Sequence, residues 1–224
     1  MRNLSICLLA LFSILAAPTS AAADESVQPP GSGWHERSGE QLAAEWWQWA
    51  FAQPKELGPV SDTTGARCSL GQRGDLWFLA GGFGSSKIRR SCTVPAGTAL
   101  FFPIINMIYY PSAEGPTLTC EQSRRRSARN NDKALDLFAE VDGAAVPEPA
   151  RFRIAPQECF NLFGRLPADQ RPYEAYPAST DGYWLLLRPL APGVHVVKFG
   201  GRYNRNSAAF GRMVQDIEYR ITVK

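Results

Sequence analysis

The chain has 224 residues, of which 45% are hydrophobic, 11% aromatic and 20% charged, proportions that exclude a disordered or fibrous protein. Its formal net charge of +3 is too small for the basic face of a strong nucleic-acid binder, so no nucleic-acid partner is expected. A chain of this length can bury roughly 70% of its extended surface in one domain without help from a metal or a second subunit.

The N-terminus reads as a secretory signal peptide, residues 1–23. Arg2 supplies the positive start, the stretch from Leu4 to Ala17 the apolar region, and Ala21-Ala22-Ala23 the small residues before Asp24. The apolar stretch falls short of the roughly 20 residues that a membrane-spanning helix needs, so no transmembrane segment is expected after cleavage. Cys7 lies inside the apolar region without small residues ahead of it, which argues against lipid attachment. The expected location is therefore exported, either periplasmic or extracellular.

Past the leader stand Cys68, Cys92, Cys120 and Cys159, an even number in a compartment where disulfides persist. Three pairings are possible. Cys68 with Cys92 and Cys120 with Cys159 is favoured, because the first pair brackets two strand-like segments that would form a hairpin with the cysteines opposite one another. No C-x-x-C spacing occurs, and the only imidazoles are His35 and His195, so no metal site is expected. No cofactor is implied.

Residues 24–38 are polar and rich in Pro and Gly and read as a flexible lead-in. Ser38 followed by Gln41 is a capping-box pattern, and the absence of a breaker before Pro54 predicts an amphipathic helix from Gly39 to Gln53. Turn signals from Pro54 to Gly74 predict ordered loop. Leu76 to Ala80 and Ile88 to Val94 read as two antiparallel strands joined by the Gly-rich turn at Gly81 to Gly84. Thr98 to Tyr110 is an almost continuous apolar run and predicts a buried strand, bent or bulged at Pro103. Residues 111 to 131, with Arg124, Arg125, Arg126 and Arg129, read as an insertion-like loop. Ala134 to Val141, the turn Asp142-Gly143 and Ala144 to Val146 form a hairpin signal, although Asp132 to Glu140 also fits a short helix. Shorter strand-like pieces lie at Arg151 to Ile154 and Cys159 to Phe163. Tyr183 to Arg188, Val194 to Phe199 and Ile217 to Val223 complete the strands. This spacing predicts an all-β fold, an antiparallel β-sandwich of jelly-roll or immunoglobulin-like type, with one N-terminal helix in a single domain over 39–224.

At 100° per residue Leu42, Trp46 and Trp49 share one helix face with Trp47 beside it. Such a surface could stack on sugar rings, although docking on the sandwich and filling the core is the simpler expectation. Asp62 in Asp62-Thr63-Thr64-Gly65 could join Gln72 or Asp75 in a polar pocket, yet Asp-x-x-Gly is also what an Asx turn requires. Gly81 to Lys87 lacks the G-K-[ST] ending of a phosphate loop. Strand alternation puts His195 on the same face as Val197 and Phe199, which favours a structural histidine. The arginine cluster could attract an anionic lipid, phosphate or acidic glycan, but a solvated loop is the plainer reading.

Several stretches occur together: Trp46-Trp47-Gln48-Trp49-Ala50, Asp62-Thr63-Thr64-Gly65, Gly71-Gln72 through Leu76-Trp77-Phe78-Leu79-Ala80-Gly81, Cys92-Thr93-Val94-Pro95-Ala96-Gly97 through Phe102-Pro103, and Asp181-Gly182-Tyr183-Trp184 with Pro192-Gly193 and His195. As a set they resemble a group of uncharacterised exported bacterial proteins. The resemblance implies an exported bacterial domain and carries no activity.

These readings converge on a non-enzymatic binding module that contacts a glycan or another cell-envelope component. Its candidate surface is Trp46, Trp47, Trp49, Asp62, Gln72 and Asn106. The competing expectations are a hydrolase of an envelope polymer using Asp62 and Asp75, and a structural or assembly protein with a protein partner.

Overall fold

The structure is a computed structural model that describes residues 26–84, 86–203 and 213–224. The expected signal peptide lies outside the described residues.

Ser38 and Gln41 form the expected reciprocal cap, and helix α1 runs from Gly39 to Ala50. It stops short of Gln53, since Pro54 disfavours helical backbone in the residue before it and the chain turns at Phe51. Nine strands follow among the described residues: β1 (Leu76–Phe78), β2 (Ser86–Val94), β3 (Ala99–Tyr109), β4 (Ala134–Val141), β5 (Ala144–Ala145), β6 (Arg153–Ile154), β7 (Ser179–Leu187), β8 (Gly193–Tyr203) and β9 (Val214–Val223). They make a four-stranded sheet in the order β1-β3-β7-β6 and a five-stranded sheet in the order β2-β9-β8-β4-β5. The protein is thus mostly β and sandwich-like.

Two apolar layers hold it together. Between the sheets lie Leu100, Phe102, Leu185 and Leu187 from one side and Val197, Phe199, Tyr219 and Ile221 from the other. On the outer face of the four-stranded sheet, α1 lays Leu42, Trp46 and Trp49 against Phe78, Phe101, Trp184 and Leu186. Strand β7 is buried along its whole length, and its apolar half, Tyr183 to Leu187, is buried on both faces. The bulge expected at Pro103 appears as a register shift between Pro103 and Ile105. Asp142 and Gly143 both take positive φ, 52° and 82°, as the tight β4–β5 turn demands.

Several expectations fail, among them the strand at Cys159 to Phe163, which is only an isolated bridge from Phe160 to Ala178. Strands β1 and β2 are not a hairpin: β1 runs parallel to β3 in one sheet and β2 parallel to β9 in the other, so the Gly-rich stretch between them crosses from sheet to sheet. The sheets are accordingly mixed rather than purely antiparallel. Both disulfides form as favoured, with Cα separations of 5.8 Å for Cys68–Cys92 and 5.7 Å for Cys120–Cys159. The first, however, pins the loop before β1 onto β2 and does not face across a hairpin. Residues 26–38, expected to be a loose lead-in, are tied down, with Gln28 N donating to Leu186 O at 2.8 Å and Arg188 N to Ser26 O at 2.8 Å.

The arginine-rich stretch also departs from expectation. It is a helix, α2 (Cys120–Asn131), opened by a capping box between Thr119 and Gln122. It has no apolar stripe. Instead it docks a face of Ser123, Ser127, Asn130 and Asn131, all buried, against the end of the sandwich. Ser123 donates to Pro177 O at 2.8 Å, and the Asn131 amide donates to Asp181 O at 2.8 Å. Tyr203 donates to Asn131 Oδ1 at 2.9 Å and Tyr183 to Asn131 O at 2.9 Å. Buried polar groups that are paired in this way hold position without an apolar seam.

Candidate functional site

Because β1 pairs only with Ala99–Phe101, β3 has β7 on one side from Phe102 onward and no strand on the other among the described residues. A cleft of about 640 Å³ opens along this free edge. One wall is Trp47 of α1 and Phe51 just past it, with Ile108 of β3 and Tyr110 just past that strand; the other is Gly81–Gly84, with Met213 and Gln215 at its base. No Asp, Glu, Lys or Arg is among the described lining residues.

The glycine wall is built, not draped. Arg90, 3% exposed on the inner face of β2, donates to Asp62 O at 2.6 Å, Ala80 O at 2.7 Å, Gly81 O at 2.9 Å and Val60 O at 3.3 Å. Its guanidinium also lies 5.3 Å from the centroid of Tyr219. Gly82 N donates to Gln215 Oε1 at 2.8 Å. A side chain at Gly81 would meet that oxygen at 3.3 Å, so the close approach of wall to base favours glycine there.

Inside the cleft one polar group stands out. The Asn106 Nδ2 is buried and has no hydrogen-bond partner, so its N–H groups carry a desolvation cost that a ligand acceptor would relieve. Burial pushes the Tyr110 hydroxyl above its ordinary range, with a smaller push from Tyr173, which keeps it a neutral phenol.

The cleft brings together three of the six residues singled out from sequence: Trp46, Trp47 and Asn106. Trp46 and Trp49 are each 2% exposed and Trp47 8%. All three indole N–H groups are already spent, on Leu79 O at 2.9 Å, Leu70 O at 2.8 Å and Thr180 Oγ1 at 2.7 Å respectively. Asp62 closes an Asx turn, accepting from Thr64 N, Thr64 Oγ1 and Arg67 N, each at 2.8 Å. Burial raises its pKa, but the amides of Arg67 and Thr64 outweigh that and hold it below the usual range. Gln72 clamps its own loop, bonding Cys68 O and both backbone groups of Phe78.

Asp75 lies at the surface, accepting from Trp34 Nε1 at 3.1 Å and bonded to His35 Nε2 at 2.8 Å. His35 and then Trp34 lower its pKa. Asp62 and Asp75 share no partner and both are held ionised, so the pair supplies no general acid of raised pKa. His195 keeps the expected strand parity but sits half-buried at the end of β8, between Asp142 Oδ2 at 2.7 Å and Ala191 O at 2.8 Å. Burial lowers its pKa, and these two bonds more than reverse the effect.

Phe51, Ile108, Tyr110 and the glycine wall were missed as site residues. The available signals were Asn106, a lone amide inside an apolar run, and four residues with three glycines that a hairpin does not need.

No family model matches the chain, and no curated protein sequence does. Among solved structures, the solution structure of amebosin matches 60% of this chain and 89% of its own at 12% identity, with a TM-score of 0.19. That likeness carries neither fold nor function.

Proposed function

We propose that this protein is an exported, non-enzymatic binding module whose cleft takes an apolar component of the cell envelope. The observation that carries the reading is the cleft itself: walls of aromatic, aliphatic and glycine residues, with no charged residue among the described lining and an unpaired amide at Asn106. Its volume of about 640 Å³ falls within the range of roughly 300–1,000 Å³ usual for small-molecule sites, which are mostly apolar with a few placed polar groups. A glycan suits it less, since the tryptophan faces that would stack on sugar rings are committed to the core. Two disulfides and the leader-like sequence of residues 1–23 support export, as does the resemblance to exported bacterial proteins. No described helix is long and apolar enough to cross a membrane. Of the two sandwich plans, the jelly-roll is supported by the way the chain changes sheet between β1 and β2, β2 and β3, β3 and β4, β5 and β6, and β7 and β8.

Titration of the oxidised protein with the uncharged fluorescent probe N-phenyl-1-naphthylamine tests the reading. One saturable site that is lost in Ile108→Trp, which fills the cleft, is the expected result. No saturable uptake, or equal uptake by the variant, overturns it.

A further inference from the structure

We infer that the ligand of this cleft is a single-chain amphiphile with an anionic, carboxylate-type head, held at the rim by Arg126 and Lys55. The inference rests on the reading of the cleft as a binding site and adds the chemistry of the head.

Two aromatic lining residues each carry a cation. The Arg126 guanidinium lies 4.8 Å from the centroid of Tyr109 and donates to the Tyr109 hydroxyl, and Lys55 Nζ lies 5.4 Å from the centroid of Phe83. Tyr109 and Phe83 both line the cleft, whereas the two cations do not enter it. The interior therefore suits a chain, and the edge suits a negative group.

The winding of α2 explains why Arg126 is on this side. With 100° per residue, the docked residues Ser123, Ser127, Asn130 and Asn131 centre on one direction, and Arg126 falls on the flank where it meets Tyr109 of β3. Arg124 falls on the opposite flank, where it donates to Gln157, and Arg125 points away from the fold and pairs with Glu121. Arg126 has spent one of its five N–H donors on Tyr109 and has no ion-pair partner among the described residues, so the flank retains donors for an anion. Two exposed acids lie close by in sequence, Glu114 between the lining residues Ser112 and Pro116 and Glu56 next to Lys55, and neither forms an ion pair with Arg126 or Lys55 among the described residues.

Displacement of N-phenyl-1-naphthylamine by dodecanoate and by dodecan-1-ol, each kept monomeric at pH 8, separates head from chain. In the wild-type protein dodecanoate should displace the dye at about tenfold lower concentration than the alcohol, the scale of one charge-assisted hydrogen bond. Arg126→Met and Lys55→Met, which keep much of the apolar stem, should each narrow that gap, and the double variant should close it. Arg125→Met, on the far side of α2, should leave it unchanged. If acid and alcohol compete equally in the wild type, the head assignment falls while the cleft reading stands. If neither displaces the dye, the chain-binding reading falls with it. If Arg125→Met closes the gap as fully as Arg126→Met, the effect is a general field and the rim assignment is overturned.

Discussion

Arg90→Met keeps a long unbranched side chain on the inner face of β2 while deleting the four donor contacts to Asp62, Ala80, Gly81 and Val60. Hydrogen bonds to a charged group contribute about 1.5–3 kcal/mol each, but holding a guanidinium out of water costs several kcal/mol, which methionine avoids. The difference leaves a destabilisation of about 3–5 kcal/mol, the size found when one partner of a buried charged cluster is removed. That is a large share of the roughly 5–15 kcal/mol by which domains are stable. In urea, with a slope of about 2.5 kcal/mol per molar, the unfolding midpoint should drop by about 1–2 M. Arg90→Lys, which keeps the charge but not the planar fork, should fall between the two proteins. A midpoint shift in Arg90→Met below about 0.3 M would refute the claim that this guanidinium organises the glycine wall.

Two other substitutions test neighbouring arguments. Asp62 has its pKa depressed in the folded protein, so its contribution is present above the unfolded value of 3.8 and is lost as pH falls through the folded value. Urea midpoints measured from pH 5 down to pH 2.5 should therefore fall more steeply for the wild type than for Asp62→Asn. At neutral pH the variant should be less stable by about 1–3 kcal/mol, because its amide turns a donor toward backbone N–H groups. Asn130 is 2% exposed, and both polar atoms of its side chain lack partners. Asn130→Leu should raise the melting temperature, by the equivalent of about 1 kcal/mol or more, because it removes an unpaid desolvation cost at similar volume; a lowered midpoint would count against an orphaned amide there.

Most strands were legible because their inward residues alternate or run together, as in Tyr183 to Leu187 and Ile217 to Val223. Strand pairing was not. Leu76–Phe78 and Ile88–Val94 look like hairpin partners in sequence, and nothing local reveals that each lies parallel to a strand supplied elsewhere in the chain. Helix α2 escaped notice because it has no apolar periodicity, although Thr119-x-x-Gln122 repeats the capping pattern that located α1. Arg90 shows a readable clue passed over: Ile88, Arg90, Cys92 and Val94 alternate with exposed neighbours, so the register alone puts a guanidinium inside the protein. The cleft was half visible. Trp46, Trp47 and Asn106 were chosen from composition and local pattern, whereas the glycine wall opposite them depends on a crossing between sheets that sequence spacing does not encode.

The parallel pairing of β2 with β9 sets an order of events in the life of the chain. Ile88 lies beside Ile217, and β9 in turn is what links β2 to β8. Until Val214–Val223 has been synthesised, Ser86–Val94 lacks the strand that it pairs with among the described residues, and Arg90 lacks the Tyr219 ring that it lies against. Such long-range pairing slows folding, because the loop must close before any contact rewards it. A chain cut before Val214 therefore leaves β2 without its partner strand, and the sheet that carries Arg90 is completed only when β9 arrives.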